Sequence, residues 1–425
     1  MVGPQIGYAE SGEMLKQFSK RIWMKTPRYA DFPRSEYEKR IEKARNLMNK
    51  KGVDLLVIWD PDNLRYFTGF VCTHWDAKSI QSAVYILPRK GEPVLILPYL
   101  FRAKAEADTY VNIIRTQDHA HSYQKMREFP CEVADTIIDL GYGEKSIGIE
   151  AGLLGGMYIP RPLNDIERFK NKLRGANFLE AADIIWECRM IKSEAEIVMI
   201  KEACNIAMVA YQKLLDKFEL GWKLRDIGSF LEKACVDMKG EDFKSVSFSA
   251  TKNVAMFDHP HYYDVPINKG DRVSIEFGIR YKGYRGGLAR SLQIGPFREE
   301  QKKLDEAVTR AQKRAVDAVK PGIMAKEIIE AANHELKVRG FKPNIDMVGH
   351  GFGLTPHEPP MLEAMNEMRL KEGMTLAVEV WQIEAVSAGF GLSNLGVFGN
   401  EDLVVVTKEG CEELTFGSDM RNIPT

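Results

Sequence analysis

The chain has 425 residues, of which 44% are hydrophobic and 28% charged, with a formal net charge of -1. That length allows two or three domains with buried cores, and the near-neutral balance supplies no global field to draw the chain onto nucleic acid or an anionic membrane. Six cysteines, none in a Cys-x-x-Cys pair, are scattered from Cys72 to Cys411, which fits reduced thiols in a cytoplasmic protein and neither a disulfide framework nor a zinc knuckle. Met1-Val2-Gly3-Pro4-Gln5 carries no basic stretch followed by an apolar run, so no signal peptide is expected, and no apolar stretch is long enough to span a bilayer.

In chain order, residues 1–34 are polar and mixed, an extended arm or a short helix. A helical pattern opens at Ser35-Glu36-Tyr37 and runs to Lys51, where Gly52 is a natural stop. Val53 to Trp59 reads as a buried strand, and Asp60-Pro61-Asp62-Asn63 as a turn and helix start. Ala83 to Leu87 and Pro93 to Leu97 flank Arg89-Lys90-Gly91-Glu92 as a hairpin, with further strands at 111–115 and 146–150. Helices between them make residues 1–185 an α/β domain. Ser193 and Glu196 then stand at capping-box spacing. Ile197, Ile200, Cys204, Ala207, Met208, Tyr211 and Leu215 follow at helical period, opening a second domain over 186–425. This domain reads as duplicated. Helix 193–217 leads to Gly221, Asp226 and Ile227, and helix 299–319 leads to Gly322, Glu327 and Ile328, each followed by another helix and a β region.

The chemistry-bearing groups gather in the second domain. His350 and His357 sit in the glycine-rich run Gly349-His350-Gly351-Phe352-Gly353-Leu354-Thr355-Pro356-His357-Glu358-Pro359-Pro360, and histidine is the usual metal ligand and the usual acid/base near neutral pH. Glu379 lies among apolar residues in Ala377-Val378-Glu379-Val380-Trp381, where an unpaired carboxylate is costly, so a partner is expected. Glu401 precedes Asp402, and Glu276 follows Val273-Ser274-Ile275, where strand alternation sets Ser274 and Glu276 on one face.

This arrangement resembles the pita-bread hydrolases: aminopeptidase P, prolidase, methionine aminopeptidase and creatinase. The resemblance covers nearly the whole chain and implies an α+β fold, a pita-bread domain preceded by an α/β creatinase-like N-terminal domain. In the family's metallopeptidases two metal ions are held by two aspartates, one histidine and two glutamates. Carried over by motif, the histidine is His350 and the glutamates are Glu379 and Glu401. The first aspartate falls on Glu276 and the second on Gly287, which has no side chain to offer. Phe398-Gly399-Asn400 is also one residue longer than the family pattern. The paired-metal site is therefore expected to be lost. The cofactor is expected to be none, or a single divalent metal (Mn, Co or Zn) on His350, Glu379 and Glu401 with Glu276 as a further donor, and Gly287→Asp is expected to raise metal affinity.

The same resemblance assigns catalytic roles to His259, Glu276, His350, His357 and Glu379. His259 would relay a proton to the leaving nitrogen, with His261 as a rival for that role or a substrate contact. His357 would hold a substrate oxygen, and Glu276 is either the general base or a nucleophile. Arg290, in Leu288-Ala289-Arg290, and Glu401 are further expected substrate contacts. The favoured expectation is a creatinase-like hydrolase cleaving a C–N bond (amide, amidine or related) in a small polar molecule. The alternatives are a metal-dependent Xaa-Pro aminopeptidase or prolidase, and a non-catalytic binding module. A cytoplasmic homodimer with a small-molecule substrate, and with neither nucleic acid nor membrane as partner, is expected.

Overall fold

The computed structural model describes residues 27–71, 83–117, 127–151, 161–250, 264–343, 347–382, 396–415 and 422–423. The chain forms two compact units, Met1–Cys188 and Arg189–Thr425.

In the first unit, α1 (Arg34–Lys51) ends where Gly52 takes a left-handed φ of 68°, a conformation glycine adopts without a Cβ penalty. Strand β1 (Leu55–Ile58) follows, then α2 (Pro61–Thr68), whose first turn is capped by the Asp60 carboxylate accepting from the Asn63 N–H. The expected hairpin is β2 (Val84–Pro88) against β3 (Val94–Pro98), with Tyr85 opposite Leu95. After α3 (Arg102–Asp108) come β4 (Ile113–Gln117), α4 (Phe129–Asp139), β5 (Ser146–Ile149), α5 (Leu163–Lys172), β6 (Asn177–Glu180) and α6 (Ala182–Arg189). The six strands order as β4-β3-β2-β1-β5-β6. All of β1, β2 and β3 is buried, which explains their unbroken apolar runs.

The second unit opens with α7 (Glu194–Lys217), whose capping box is reciprocal: Glu196 N–H donates to Ser193 Oγ and Ser193 N–H to the Glu196 carboxylate. Then follow α8 (Leu224–Asp237), β7 (Glu241–Ala250), β8 (Arg272–Tyr281) and β9 (Tyr284–Ile294). The second half supplies α9 (Glu299–Ala318), α10 (Ala325–Val338), β10 (Met347–Gly351), β11 (Glu358–Glu363), β12 (Thr375–Gln382) and β13 (Phe398–Val406), with β14 (Cys411–Glu413) and β15 (Asn422–Ile423) appended. One sheet runs through both halves in the order β11-β10-β12-β13-β9-β8-β7.

The duplicated sequence features do equivalent work. Gly221 and Gly322 both take left-handed φ, 94° and 88°. The acid five residues after each, Asp226 or Glu327, accepts the N–H of Lys223 or Met324 at 2.8 Å and starts α8 or α10. Each helix pair packs on one side of the sheet. Val273, Ile275, Phe277 and Ile279 of β8 cluster with α7 and α8, and Leu376, Val378 and Val380 of β12 cluster with α9 and α10. Strand alternation then turns Glu276 and Glu379 to the side away from the helices.

Candidate active site

Four neighbouring strands set one row of residues. Glu276 on β8 pairs with Ala289 on β9, Ala289 with Glu401 on β13, and Glu401 with Glu379 on β12. Directly paired residues share a face, so acids from both halves leave the sheet together, with the small Ala289 between two of them. Burial pushes the Glu276 carboxyl up to about 8, helped by the charge of Glu379. Burial likewise raises Glu401 well above the carboxylate range, with Glu276 and Glu379 adding to it and Arg290 opposing. Glu379 is raised by burial, against the hydrogen bond from Trp381 and the nearness of His357.

His350 reaches the row from β10, where it pairs with Ala377. Its Nδ1 lies 3.0 Å from the Gly351 carbonyl and its Nε2 3.7 Å from Glu379 Oε1. Gly349, with φ 141°, passes so close to the Ala377 carbonyl that a side chain has no room there, which accounts for glycine before the histidine. The His357 ring stands 4.0 Å from that of His350, centroid to centroid. Burial lowers the pKa of both imidazoles, which keeps them neutral near pH 7.

Behind His357, Glu358 is fully buried and ion-paired to Arg189 and to Lys192, the latter at 3.1 Å, while it accepts the Thr355 N–H at 3.1 Å. Burial alone would raise this carboxyl; the two cations and the hydrogen bonds outweigh it and hold the group at about 2. This anchor was not read from the sequence, because Arg189 and Lys192 lie more than 160 residues away. Trp381 was also missed, although strand alternation places it on the face of Glu379; its indole N–H donates to Glu379 Oε2 at 2.7 Å.

Arg290, expected to touch substrate, lies one residue out of the acid row and so on the opposite face. Its guanidinium binds Asp402 and the carbonyls of Ala289 and Glu401, buttressing the row from behind. His259 and His261 fall outside the described residues.

The family's set of metal donors is altered here. Gly287 offers none, and a Cβ built on it would stand 2.5 Å from the Phe277 carbonyl oxygen and 3.0 Å from Gly278 Cα. The expectation that Gly287→Asp restores a ligand is therefore revised: the strand pair leaves no room for the side chain. What remains is one imidazole, His350, and three carboxyls, Glu276, Glu379 and Glu401, whose nitrogen and oxygen atoms are of the donor types divalent ions take. Among the described residues no three His, Cys, Asp or Glu are gathered tightly enough to cage a metal by themselves.

The site is thus a helix-backed sheet that carries Glu276 from the first repeated half and Glu379, Glu401, His350 and His357 from the second. Residues 198–408 match the metallopeptidase family M24 and residues 40–191 the creatinase/prolidase N-terminal domain, and the chain belongs to this pita-bread family. It is similar to the Xaa-Pro dipeptidase of Pyrococcus furiosus, 29% identical over 380 residues that cover 89% of this chain and 98% of that protein. The prolidase of Pyrococcus horikoshii OT3 superposes with a TM-score of 0.74 at 27% identity, covering 90% of this chain and 99% of that one. An X-Pro aminopeptidase from Thermotoga maritima shares the fold, with a TM-score of 0.72 at 23% identity over 88% of this chain and 97% of that one.

These relatives overturn the favoured expectation of a creatinase-like, non-peptide C–N hydrolase, because the proteins similar over nearly the full length are Xaa-Pro dipeptidases. The physical reason is plain. A missing bridging carboxylate bears on how many ions the site holds, not on which bond it cleaves.

Proposed function

We propose that this chain is a metal-dependent dipeptidase acting on small Xaa-Pro peptides, with one divalent ion (Mn, Co or Zn) where its relatives' family uses two. The observation that carries this is the in-register row of Glu276, Glu401 and Glu379 beside His350, in a chain of which 89% matches an Xaa-Pro dipeptidase. His350, Glu379 and Glu401 would hold the ion, with Glu276 as a further donor or as the proton carrier. When bound, the ion would supply Lewis-acid polarisation of the scissile carbonyl. Glu276, raised to about 8 in a buried setting, retains a proton near neutrality and can exchange it with the reacting groups. Neutral His357 faces the same space and can donate a hydrogen bond to a substrate oxygen. Arg290 and Asp402 fix the backbone under Glu401 from the far side.

Residues 1–185 and 186–425 are taken as the two domains, and the protein as a cytoplasmic homodimer. Among the described residues no helix is long and apolar enough to cross a membrane. The decisive test uses chelator-washed protein offered Ala-Pro and Met-Pro with Mn²⁺, Co²⁺ or Zn²⁺ restored in turn. Metal-restored release of proline is the expected result. No cleavage of any Xaa-Pro dipeptide with any of the three ions would refute the reading.

A further inference from the structure

The first unit holds a cavity of about 340 Å³, lined wholly by residues between Arg34 and Asn112. One face of α1 forms a wall of it: Arg34, Tyr37, Glu38, Ile41, Glu42 and Arg45 recur at the three- and four-residue spacing of a helix face. The other walls include Phe67 near the end of α2, Tyr85 on β2, and Tyr110 in the link between α3 and β4.

The aromatic rings brace one another. Phe67 and Tyr85 stack with 6.2 Å between centroids and 18° between planes, and the Tyr37 and Tyr110 rings lie 5.9 Å apart. Tyr85 is fully buried, and its hydroxyl has no hydrogen-bond partner. Such a group costs stability that a phenylalanine would spare. The two charged residues that bear on this phenol, Arg45 and Glu92, both line the cavity, so the hydroxyl belongs to the cavity's inner end. Burial pushes its pKa up, with Arg45 opposing and Glu92 adding, and the group stays a neutral O–H donor.

The mouth mixes both signs of charge. Arg34 lies 5.2 Å from the centre of the Tyr110 ring and 4.0 Å from Glu38. Arg45 already donates to the Pro88 and Gly91 carbonyls, and Asn112 donates to Glu92 at 3.3 Å. A phosphate or carboxylate would face Glu38, Glu42 and Glu92, and an organic cation would face both arginines. An uncharged molecule meets neither penalty.

We propose that this cavity binds an uncharged, planar nitrogen heterocycle of purine size, stacked among the rings, with one of its acceptor atoms taking the Tyr85 O–H. Flat rings suit the aromatic walls, a neutral acceptor is what the buried phenol lacks, and amino groups on such a base can donate to the carboxylates at the mouth. The volume lies at the small end of ligand sites, which fits a base rather than a nucleotide. The inference stands apart from the dipeptidase reading and does not depend on it.

The test is calorimetric titration of full-length protein with adenine and, separately, with its nucleotide AMP. Wild type is expected to bind one adenine per chain and to bind AMP more weakly. Tyr85→Phe keeps the stacked ring but removes the hydroxyl. It should weaken adenine by ~5-fold or more, as loss of one hydrogen bond does, and without ligand it should melt no lower than wild type, since its hydroxyl has no protein partner to lose. Ile41→Trp fills the cavity from α1 and should abolish binding. Circular dichroism and thermal melting check that each variant folds; should Ile41→Trp fail to fold, Tyr85→Phe decides alone. Absence of adenine binding by wild type would overturn the inference, as would wild-type affinity in Tyr85→Phe or binding that survives in folded Ile41→Trp. AMP bound as tightly as adenine would overturn the assignment of an uncharged ligand.

Discussion

Glu379 and Glu401 are direct partners across β12 and β13, so two carboxylates leave the sheet side by side at a position where strands usually pair opposite charges or apolar groups. With Glu276 completing the row, three carboxyls stand together and the ionisation of each is opposed by burial. Arg290 is the cation that bears on Glu401, and it is already bound to Asp402.

The first consequence concerns stability without metal. Glu379→Gln or Glu401→Gln replaces a carboxyl whose ionisation is penalised with a neutral group, and should raise the melting temperature of chelator-stripped protein at alkaline pH, where the row ionises. Stripped wild type should in turn gain more from added Zn²⁺ than either variant, since an ion that binds only the folded state stabilises it by mass action. Differential scanning calorimetry with and without zinc reads both effects. Equal zinc-induced shifts in all three proteins would contradict the charge argument.

A second consequence is the sign of the pH dependence. Burial, with the charge of Glu379 adding to it, raises the folded Glu276 carboxyl from its ordinary 4.5 to about 8. The folded state then binds more protons than the unfolded state between those values, and stability falls as pH rises through that window. Stripped wild type should therefore melt progressively lower from pH 5 toward pH 8, and Glu276→Gln should flatten the slope. A melting temperature that rises over this range in wild type would refute the assignment.

Catalysis gives a third. His350→Ala and Glu379→Gln should each lower kcat/KM for an Xaa-Pro dipeptide by ~10²-fold or more, with circular dichroism unchanged. Arg290→Lys should act differently. It leaves the acid row's chemistry in place but loosens the backbone of Glu401, so its loss should appear first as a lower melting temperature. Near-wild-type kcat/KM in either His350→Ala or Glu379→Gln would remove the site from consideration.

Much of this architecture is legible in the residues because it is local or periodic. The Ser193–Glu196 capping box, the Gly52 stop and the Gly221 and Gly322 turns are each set by a few neighbouring residues. Glu379 announces itself as an acid among apolar neighbours. What stayed hidden depends on contacts between distant segments. Nothing near Glu358 in sequence predicts that Arg189 and Lys192 neutralise it. For Arg290 the reason is subtler: alternation puts it on the opposite face from Ala289, but only the cross-strand register shows that Ala289 belongs to the acid row. The absence of an aspartate at 287 was visible, whereas the closeness of Phe277 that bars its return was not.

That closeness makes a fourth prediction. Gly287→Ala and Gly287→Asp both place a Cβ against the Phe277 carbonyl oxygen, so β8 and β9 must separate or the variant must strain. Overpacking of this kind typically costs about 1–3 kcal/mol. Both variants should melt lower than wild type, and Gly287→Asp should gain no second zinc by calorimetric titration. A second bound ion in Gly287→Asp would mean that the strands yield readily and that the family's site can be rebuilt.

The buried ion pairs of Glu358 lead to the last. The carboxylate sits directly after His357 and is closed in by Arg189, Lys192 and the Thr355 N–H, so it fixes the turn that presents the imidazole. Its folded pKa is lowered from 4.5 to about 2. A depressed carboxylate contributes stability that is present above the unfolded pKa and is lost as pH falls through the folded one, so this contribution should disappear between about pH 4.5 and pH 2. Removing one partner of a buried pair leaves an uncompensated charge and costs about 3–5 kcal/mol. Glu358→Gln leaves Arg189 and Lys192 facing each other without an anion and should show that loss at pH 7 in urea unfolding. Its deficit relative to wild type should shrink as the pH is lowered toward 2, because wild type is then losing the same interaction. A deficit that stays constant from pH 7 to pH 2 would mean that the carboxylate's charge is not what holds the His357 turn.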